Sequence, residues 1–364
     1  MQITDIQTST AMSLQSLPRF VQLSDPSCRN YLAFEGFSGI EPRGMWTDGP
    51  EARIRLLKPQ GLRGNFLVML RLLPCIYGET TKQLVHVAVN GSAVTTWTME
   101  DPFYRWLRLV IDRALIEQTE VVEIGLSIPT CVQPSATGPS GDPRLLGIMI
   151  DTVAWEDTHR YEHSFLSHLG RPVGEEARKS YDQKILSGFW SRFITGPRVL
   201  DIGFVGQLGS GALPIFEGAI GVDLDYPGYD GRILPFETES QDAVFSSHCL
   251  EHIADHIKAI QEWHRVAKIG GHVITVVPHA FLYERRKRPP SRWAELQHLR
   301  FYTPMSLLAE FEAALLPNSY RIRHLADNDQ HFTYSAASDH QPGGSYEIEL
   351  VIEKIRPPTW IVED

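Results

Sequence analysis

The sequence has few cysteines and no closely spaced cysteine pair. Four cysteines are scattered through 364 residues, and no CxxC motif occurs. A chain of this length buries enough apolar surface to fold without disulfides. The pattern argues against a disulfide framework and favours the reducing environment of the cytoplasm.

A long hydrophobic segment is also absent. The most apolar run, Phe66 to Tyr77, is interrupted by Arg71 and is shorter than the roughly 20 residues that a membrane-spanning helix needs. The first ten residues, MQITDIQTST, have neither the basic nor the apolar region of a secretion signal. We therefore expect a soluble cytoplasmic protein without a membrane span.

Positive charge is in deficit, since the formal net charge is -10. This balance disfavours a general attraction to phosphate backbones or anionic membranes, so no nucleic acid partner is expected. Neither a GxGxxG nor a GxxxxGK[ST] motif occurs. Both absences make a nicotinamide cofactor or a nucleoside triphosphate a poor candidate.

The length predicts two domains, and the first, residues 1–157, has the rhythm of antiparallel strands. The Asn90-Gly91 pair predicts a type I′ hairpin turn, because both residues tolerate positive φ values. We expect an all-β sandwich. Its predicted strands are Ala52–Leu56, Phe66–Leu72, Leu84–Val89, Ala93–Trp97, Leu107–Asp112, Val121–Ser127 and Leu146–Trp155.

The remainder predicts a helical segment, residues 158–197, followed by an α/β domain over 198–364. After residue 198, strand-like apolar runs alternate with stretches whose apolar residues have helical spacing. This order is typical of a doubly wound, Rossmann-like parallel sheet. A helix is expected over 175–193, and Gly270-Gly271 should end the helix after LEH. Two late strands, 320–325 and 346–352, should pair antiparallel at the sheet edge.

Six segments of this domain follow a specific order: VLDIG, GVD, LPF, QDAV, LEH and RVAKIGG. In this order they resemble the class I S-adenosylmethionine-dependent methyltransferases, over about half of the chain. The resemblance implies that Asp201 and Gly203 line the methionine end of the cofactor. It places Asp223, with Leu224 beside it, at the ribose. The glycine loop departs from the family pattern and reads GFVGQLGSG.

The same resemblance places three more residues at the cofactor. Asp230 would meet the adenine amino group, Leu234 would pack on the adenine face, and His248 would touch the cofactor. S-adenosylmethionine is therefore the expected cofactor.

Proton removal from an acceptor hydroxyl suits a histidine, and His252 or His279 is the candidate general base, with Glu251 alongside. An equally open alternative is that Glu251 and His252 only cap a helix. A metal alternative exists as well. HxxEH, starting at His248, together with His279 resembles the ExxEH set of small-RNA 3′-end methyltransferases, although the preferred prediction contains no metal.

Substrate contacts are predicted from the basic and aromatic stretch Tyr283 to Tyr302, where Arg288 can meet an anionic group. His298 and Arg300 belong to an HxRFYT-like segment that many family members carry. A solvated charged loop is the alternative for the basic stretch.

The first domain resembles a β-sandwich module of bacterial polysaccharide-related proteins. The segments that carry this resemblance are GFSGIEPRGMWTDGPEARIRL and GDPRLLGIMID. This implies glycan contact, for which Trp46 and Asp48 are candidates; alternatively, Trp46 is a core aromatic. The leading hypothesis is O-methylation of a sugar hydroxyl in a bacterial surface glycan or a nucleotide-sugar precursor. The alternative is an inactive glycan-binding or scaffolding protein. The oligomeric state is left open.

Overall fold

The computed structural model describes residues 14–161, 164–204, 211–284, 297–336 and 343–359. The chain divides into two compact units, Met1–Gly170 and Arg171–Asp364. Within the described ranges, no helix has the length and hydropathy that a membrane crossing requires.

The first unit is built from two antiparallel sheets. One has the order β1-β10-β5-β8, with β3 also pairing with β10, and the other has the order β2-β4-β9-β6-β7. Three single-turn helices accompany them: α1 (Arg113–Ile116), α2 (Pro134–Thr137) and α3 (Thr158–Tyr161). The strands are β1 (Phe20–Gln22), β2 (Leu32–Glu35), β3 (Met45–Asp48), β4 (Glu51–Leu57), β5 (Phe66–Pro74), β6 (Gln83–Val89), β7 (Ser92–Met99), β8 (Arg105–Ile111), β9 (Val121–Ser127) and β10 (Leu146–Asp157).

Both sheets contribute to one hydrophobic core. Ile54 and Ile124 of one sheet and Leu70 and Ile150 of the other are fully buried in the same cluster. Along β9 buried and partly exposed residues alternate strictly, as expected for a strand with one face toward a core.

The seven predicted strands are all present, and the hairpin has the expected turn. Asn90 and Gly91 have φ values of 48° and 82°, and Val89 pairs with Ser92. Strands β1, β2 and β3 were not predicted, because each has only three or four residues and little alternation.

The second unit is a six-stranded sheet with helices on both faces. Its strand order is β12-β11-β13-β14-β16-β15; the first four strands are parallel, and β16 is antiparallel to both β14 and β15. The predicted α/β fold preceded by a β-rich region is confirmed. The elements are α4 (Glu175–Leu186), α5 (Phe189–Phe193), β11 (Val199–Ile202), β12 (Ile220–Val222), β13 (Gln241–Ser247), α6 (His256–Val266), β14 (Ala267–Pro278), α7 (Pro304–Ala314), β15 (Tyr320–Asn328) and β16 (Glu347–Lys354).

The two helical layers are distinguished by their packing. On one face, Trp190 of α5 lies 5.2 Å, between ring centroids, from Phe245 of β13. On the other face, Trp263 of α6 and Phe311 of α7 are fully buried in one cluster with Val244. Neighbouring residues of β13 therefore face opposite helical layers, as the alternation of side chains in a strand requires.

Two helix boundaries differ from the sequence prediction. The helix expected over 175–193 is split, because Gly188 adopts a φ of 76° between α4 and α5. The helix expected to end at Gly270-Gly271 ends at Val266, and both glycines lie within β14, where its register against β13 shifts.

A buried ion pair fixes α4 against the sheet. The Lys184 ammonium lies 3.0 Å from a Glu347 oxygen and 2.7 Å from a Glu349 oxygen, and all three side chains are buried. Because such charges are costly to bury unpaired, this contact constrains the position of the last turn of α4 on the sheet.

Candidate active site

Two cavities meet at the carboxyl ends of β11, β12 and β13. We call them the inner cavity, of about 450 Å³, and the outer cavity, of about 660 Å³. Gly203, directly after β11, lines both. The edge of a parallel sheet where the connections diverge is the usual ligand site of such folds.

Gly203 is held in a conformation that excludes a side chain. Its φ is 80°, and its N–H donates to the Val222 carbonyl oxygen at 2.8 Å. A Cβ at this position would lie 2.6 Å from both Cβ and Sγ of Cys249. The close approach of the segments around Gly203 and Cys249 therefore requires glycine.

The inner cavity contains Asp201 as a buried carboxylate. Its Oδ2 accepts the backbone N–H of Ile215 at 3.0 Å. Burial raises the pKa of Asp201 to about 7, and the Ile215 hydrogen bond opposes this shift. Residues 172–178, which include the first turn of α4, also line this cavity.

His248 lies on the inner cavity among three carboxylates. Its Nδ1 is 3.5 Å from Glu176 Oε2 and 4.0 Å from Glu251 Oε1, and its Nε2 is 3.6 Å from Glu347 Oε1. Burial lowers the pKa of His248, but the carboxylates of Glu347, Glu251 and Glu176 outweigh it and raise the pKa overall. The backbone φ of His248 is 49°, in the left-handed region that residues other than glycine seldom adopt.

The outer cavity carries Asp223, Leu224 and Tyr229 on one wall. Asp223 Oδ1 accepts the N–H of Leu224 at 2.7 Å. Asp230 does not line either cavity; its Oδ1 accepts two backbone N–H groups of its own turn, at 2.9 and 2.7 Å. Leu234 is buried in the core and is likewise not a lining residue.

Glu251, His252 and His298 form a cluster beside the outer cavity, which His252 lines. The Nε2 atoms of both histidines lie 3.9 Å from Glu251 Oε1. Glu251 is fully buried, and burial, opposed by the neighbouring histidines, raises its pKa.

The other sequence-predicted residues lie elsewhere. His279 lines neither cavity; its Nδ1 accepts the N–H groups of Phe281 and Leu282. The Arg300 guanidinium donates to the carbonyl oxygens of Ile253 and Ala254. Arg288 lies outside the described residues.

Three residues of the site were not predicted from the sequence. Glu176 faces His248 from α4, Glu284 hydrogen-bonds His298, and Cys249 packs against Gly203. Of the three, only Glu176 could have been anticipated, because acidic residues directly after Gly174 indicate the start of a helix.

One family model matches part of the second unit. Residues 218–275, which include β12, β13 and α6, match the sequence profile of a family described as "Methyltransferase domain". This stretch of the second unit is therefore similar to a methyltransferase domain.

Solved structures of similar proteins include two described as S-adenosylmethionine-dependent methyltransferases. One is a possible histamine N-methyltransferase from Thermotoga maritima, 19% identical, with a TM-score of 0.35, covering 54% of this chain and 95% of its own. The other, from Aquifex aeolicus, is 15% identical, with a TM-score of 0.33, covering 50% and 94%. No curated protein matches the chain significantly.

The residues that line the two cavities fit S-adenosylmethionine, the cofactor that the sequence motifs predict. Asp201 lines the inner cavity and Asp223 lines the outer cavity. Gly203 lines both, and because it has no side chain, a ligand can approach its backbone closely. Asp201 would hold the methionine ammonium group, and Asp223 would accept hydrogen bonds from the ribose hydroxyls.

Proposed function

We propose that the methyltransferase domain methylates a hydroxyl oxygen of a sugar, in a glycan or a nucleotide-sugar precursor. The observation that carries the proposal is an imidazole, His252, on the wall of the outer cavity with the Glu251 carboxylate behind it. A hydroxyl acceptor has to lose its proton, and a histidine with a neighbouring carboxylate suits that task. When bound, S-adenosylmethionine supplies an electrophilic methyl group.

The hydrogen bonding of His252 supports its role as proton acceptor. Nδ1 lies 3.2 Å from the carbonyl oxygen of Gln297, which can only accept, so Nδ1 carries the hydrogen. Nε2 therefore has the free electron pair. The Glu251 carboxylate, 3.9 Å away, stabilises the imidazolium that forms when Nε2 takes the proton.

His279 is the weaker candidate for this role. Its Nδ1 accepts backbone N–H groups, its Nε2 lies 3.6 Å from Asp327 Oδ1, and it lines neither cavity. We therefore assign proton transfer to His252.

Support for a sugar acceptor is narrower and comes from the rim of the outer cavity. Arg232 and Asp255, paired at 2.8 Å, both line it and offer donors and acceptors to a polyhydroxylated ligand. In the first unit, Asp48 is exposed, whereas Trp46 packs against a small cluster with Cys75 and Val132. The inactive alternative is not favoured, because the two carboxylates expected to bind the cofactor are in place: Asp201 lines the inner cavity and Asp223 lines the outer cavity.

Replacing His252 by alanine should reduce turnover by roughly 100-fold or more while changing cofactor affinity little. The assay follows labelled methyl from S-adenosylmethionine into glycans and nucleotide sugars extracted from the native host. His86→Ala, which alters an exposed histidine of β6, is the control and should keep full activity. Full activity of His252→Ala, or label found only in acceptors without a hydroxyl, contradicts the proposal.

A further inference from the structure

Two histidine nitrogens and one carboxylate converge beside the outer cavity. One ligand-type atom each from Glu251, His252 and His298 lies within 4.8 Å of the others. The two histidine rings are 4.7 Å apart between centroids and nearly perpendicular, at 76°. Both Nε2 atoms are 3.9 Å from the same oxygen, Glu251 Oε1.

Hydrogen bonds at the far side of each ring fix both imidazoles in one orientation. The Nδ1 of His298 bonds to the Glu284 carboxylate, and the Nδ1 of His252 lies 3.2 Å from the Gln297 carbonyl oxygen. Both Nδ1 atoms therefore carry hydrogen, which leaves an electron pair on each Nε2 atom, 3.9 Å from Glu251 Oε1. A carboxylate or carbonyl behind a histidine is the usual support of a metal-binding imidazole.

Glu251 gives an independent reason to expect a cation. Its side chain is fully buried, and neither carboxylate oxygen has a hydrogen-bond partner among the described residues. A buried carboxylate without a hydrogen bond is costly, whereas coordination to a cation compensates its charge.

We propose that Glu251, His252 and His298 bind a divalent transition-metal ion, of which Zn²⁺ is the best-fitting example. Imidazole and carboxylate ligands suit Zn²⁺ better than Mg²⁺ or Ca²⁺, which prefer oxygen alone. Ligand atoms around tetrahedral Zn²⁺ are roughly 3.4 Å apart, so the observed 3.9 Å separations need to close by about half an ångström.

The geometry selects His298 instead of His279, which lines neither cavity. Three protein ligands leave one coordination position open, and His252 lies on the outer cavity. Only the role of the ion in the reaction rests on the proposed function. In the metal-bound protein the ion would replace His252 as the group that activates the acceptor: it would bind the hydroxyl oxygen and lower its pKa, the proton would leave to solvent, and His252 would serve only as a ligand.

Metal binding is tested on the full chain without methyl transfer. The protein is stripped with a chelator and titrated with Zn²⁺ and, separately, with Mg²⁺, by calorimetry at neutral pH. We expect one Zn²⁺ per chain with micromolar or tighter affinity and at least 100-fold weaker Mg²⁺ binding. His256→Ala, an α6 histidine outside the cluster, should bind Zn²⁺ like the native chain.

The variants His252→Ala and His298→Ala should each weaken Zn²⁺ binding by at least 100-fold. His252 is partly exposed, with a side-chain exposure of 37%, so its variant should keep the fold, which thermal unfolding and binding of S-adenosylmethionine verify. Absence of saturable Zn²⁺ binding by the native chain, or undiminished binding by His252→Ala, overturns the metal site. Since neither readout involves an acceptor, those results leave the proposed O-methylation to its own assay.

Discussion

Replacing Gly203 by alanine is expected to destabilise the second unit by roughly 2 to 5 kcal/mol and to weaken cofactor binding by at least about tenfold. The residue has a φ of 80°, which costs an L-residue about 1 to 2 kcal/mol. In addition, its Cβ would lie 2.6 Å from two atoms of Cys249, which lines the outer cavity and would have to move. Chemical unfolding and calorimetry with S-adenosylmethionine measure the two effects.

Gly218→Ala is a matched control for this variant. Gly218 has a φ of 81°, lines neither cavity, and has no atom within 4 Å of an added Cβ. It should lose only the roughly 1 to 2 kcal/mol of backbone strain and bind the cofactor normally. If the two variants behave alike, the contact between Gly203 and Cys249 does not shape the site.

Cofactor affinity is expected to fall by roughly tenfold for each pH unit below 7, down to about pH 5. The pKa of Asp201 is raised from 3.8 to about 7 by burial, so in the free protein this carboxyl keeps its proton up to about pH 7. The ammonium group of the cofactor favours the ionised carboxylate. Binding below pH 7 must therefore release a proton, and affinity is lost as the pH falls through the folded pKa.

The folding stability of the cofactor-free protein depends on pH in the opposite direction to cofactor affinity. Because the folded pKa of Asp201 is raised, its contribution to stability without cofactor is present below about pH 3.8 and is lost as the pH rises through 7. Asp201→Asn should remove both dependences, which calorimetry from pH 5 to 8 in buffers of different ionisation enthalpy measures. A native affinity that does not change with pH contradicts the assignment of Asp201 to the ammonium group.

Much of the fold follows from local patterns in the sequence. Asn90-Gly91 fixed the hairpin because few residue pairs tolerate two positive φ values, and the alternation after residue 198 specified the parallel sheet. The prediction erred where one residue decides the outcome. Gly188 splits a helix whose apolar spacing continues across it.

The site was less predictable because its members come from distant segments. Asp201 lies near the end of β11, and Asp223 and His248 directly follow β12 and β13, so their place at one edge of the sheet could be expected. The proximity of His298 to Glu251, and the contact of His298 with the Glu284 carboxylate, join residues from separate segments of the sequence. No spacing rule contains that information.

The most direct test of the account is calorimetric titration of the full chain with S-adenosylmethionine at pH 7.5. The groove around Gly203 predicts saturable binding at one site and a rise in thermal stability, since a ligand that binds only the folded state stabilises it. Asp223→Ala should weaken the affinity by at least about tenfold through loss of the ribose hydrogen bonds. If millimolar cofactor produces no heat of binding and no thermal stabilisation, the assignment of the two cavities to S-adenosylmethionine is contradicted.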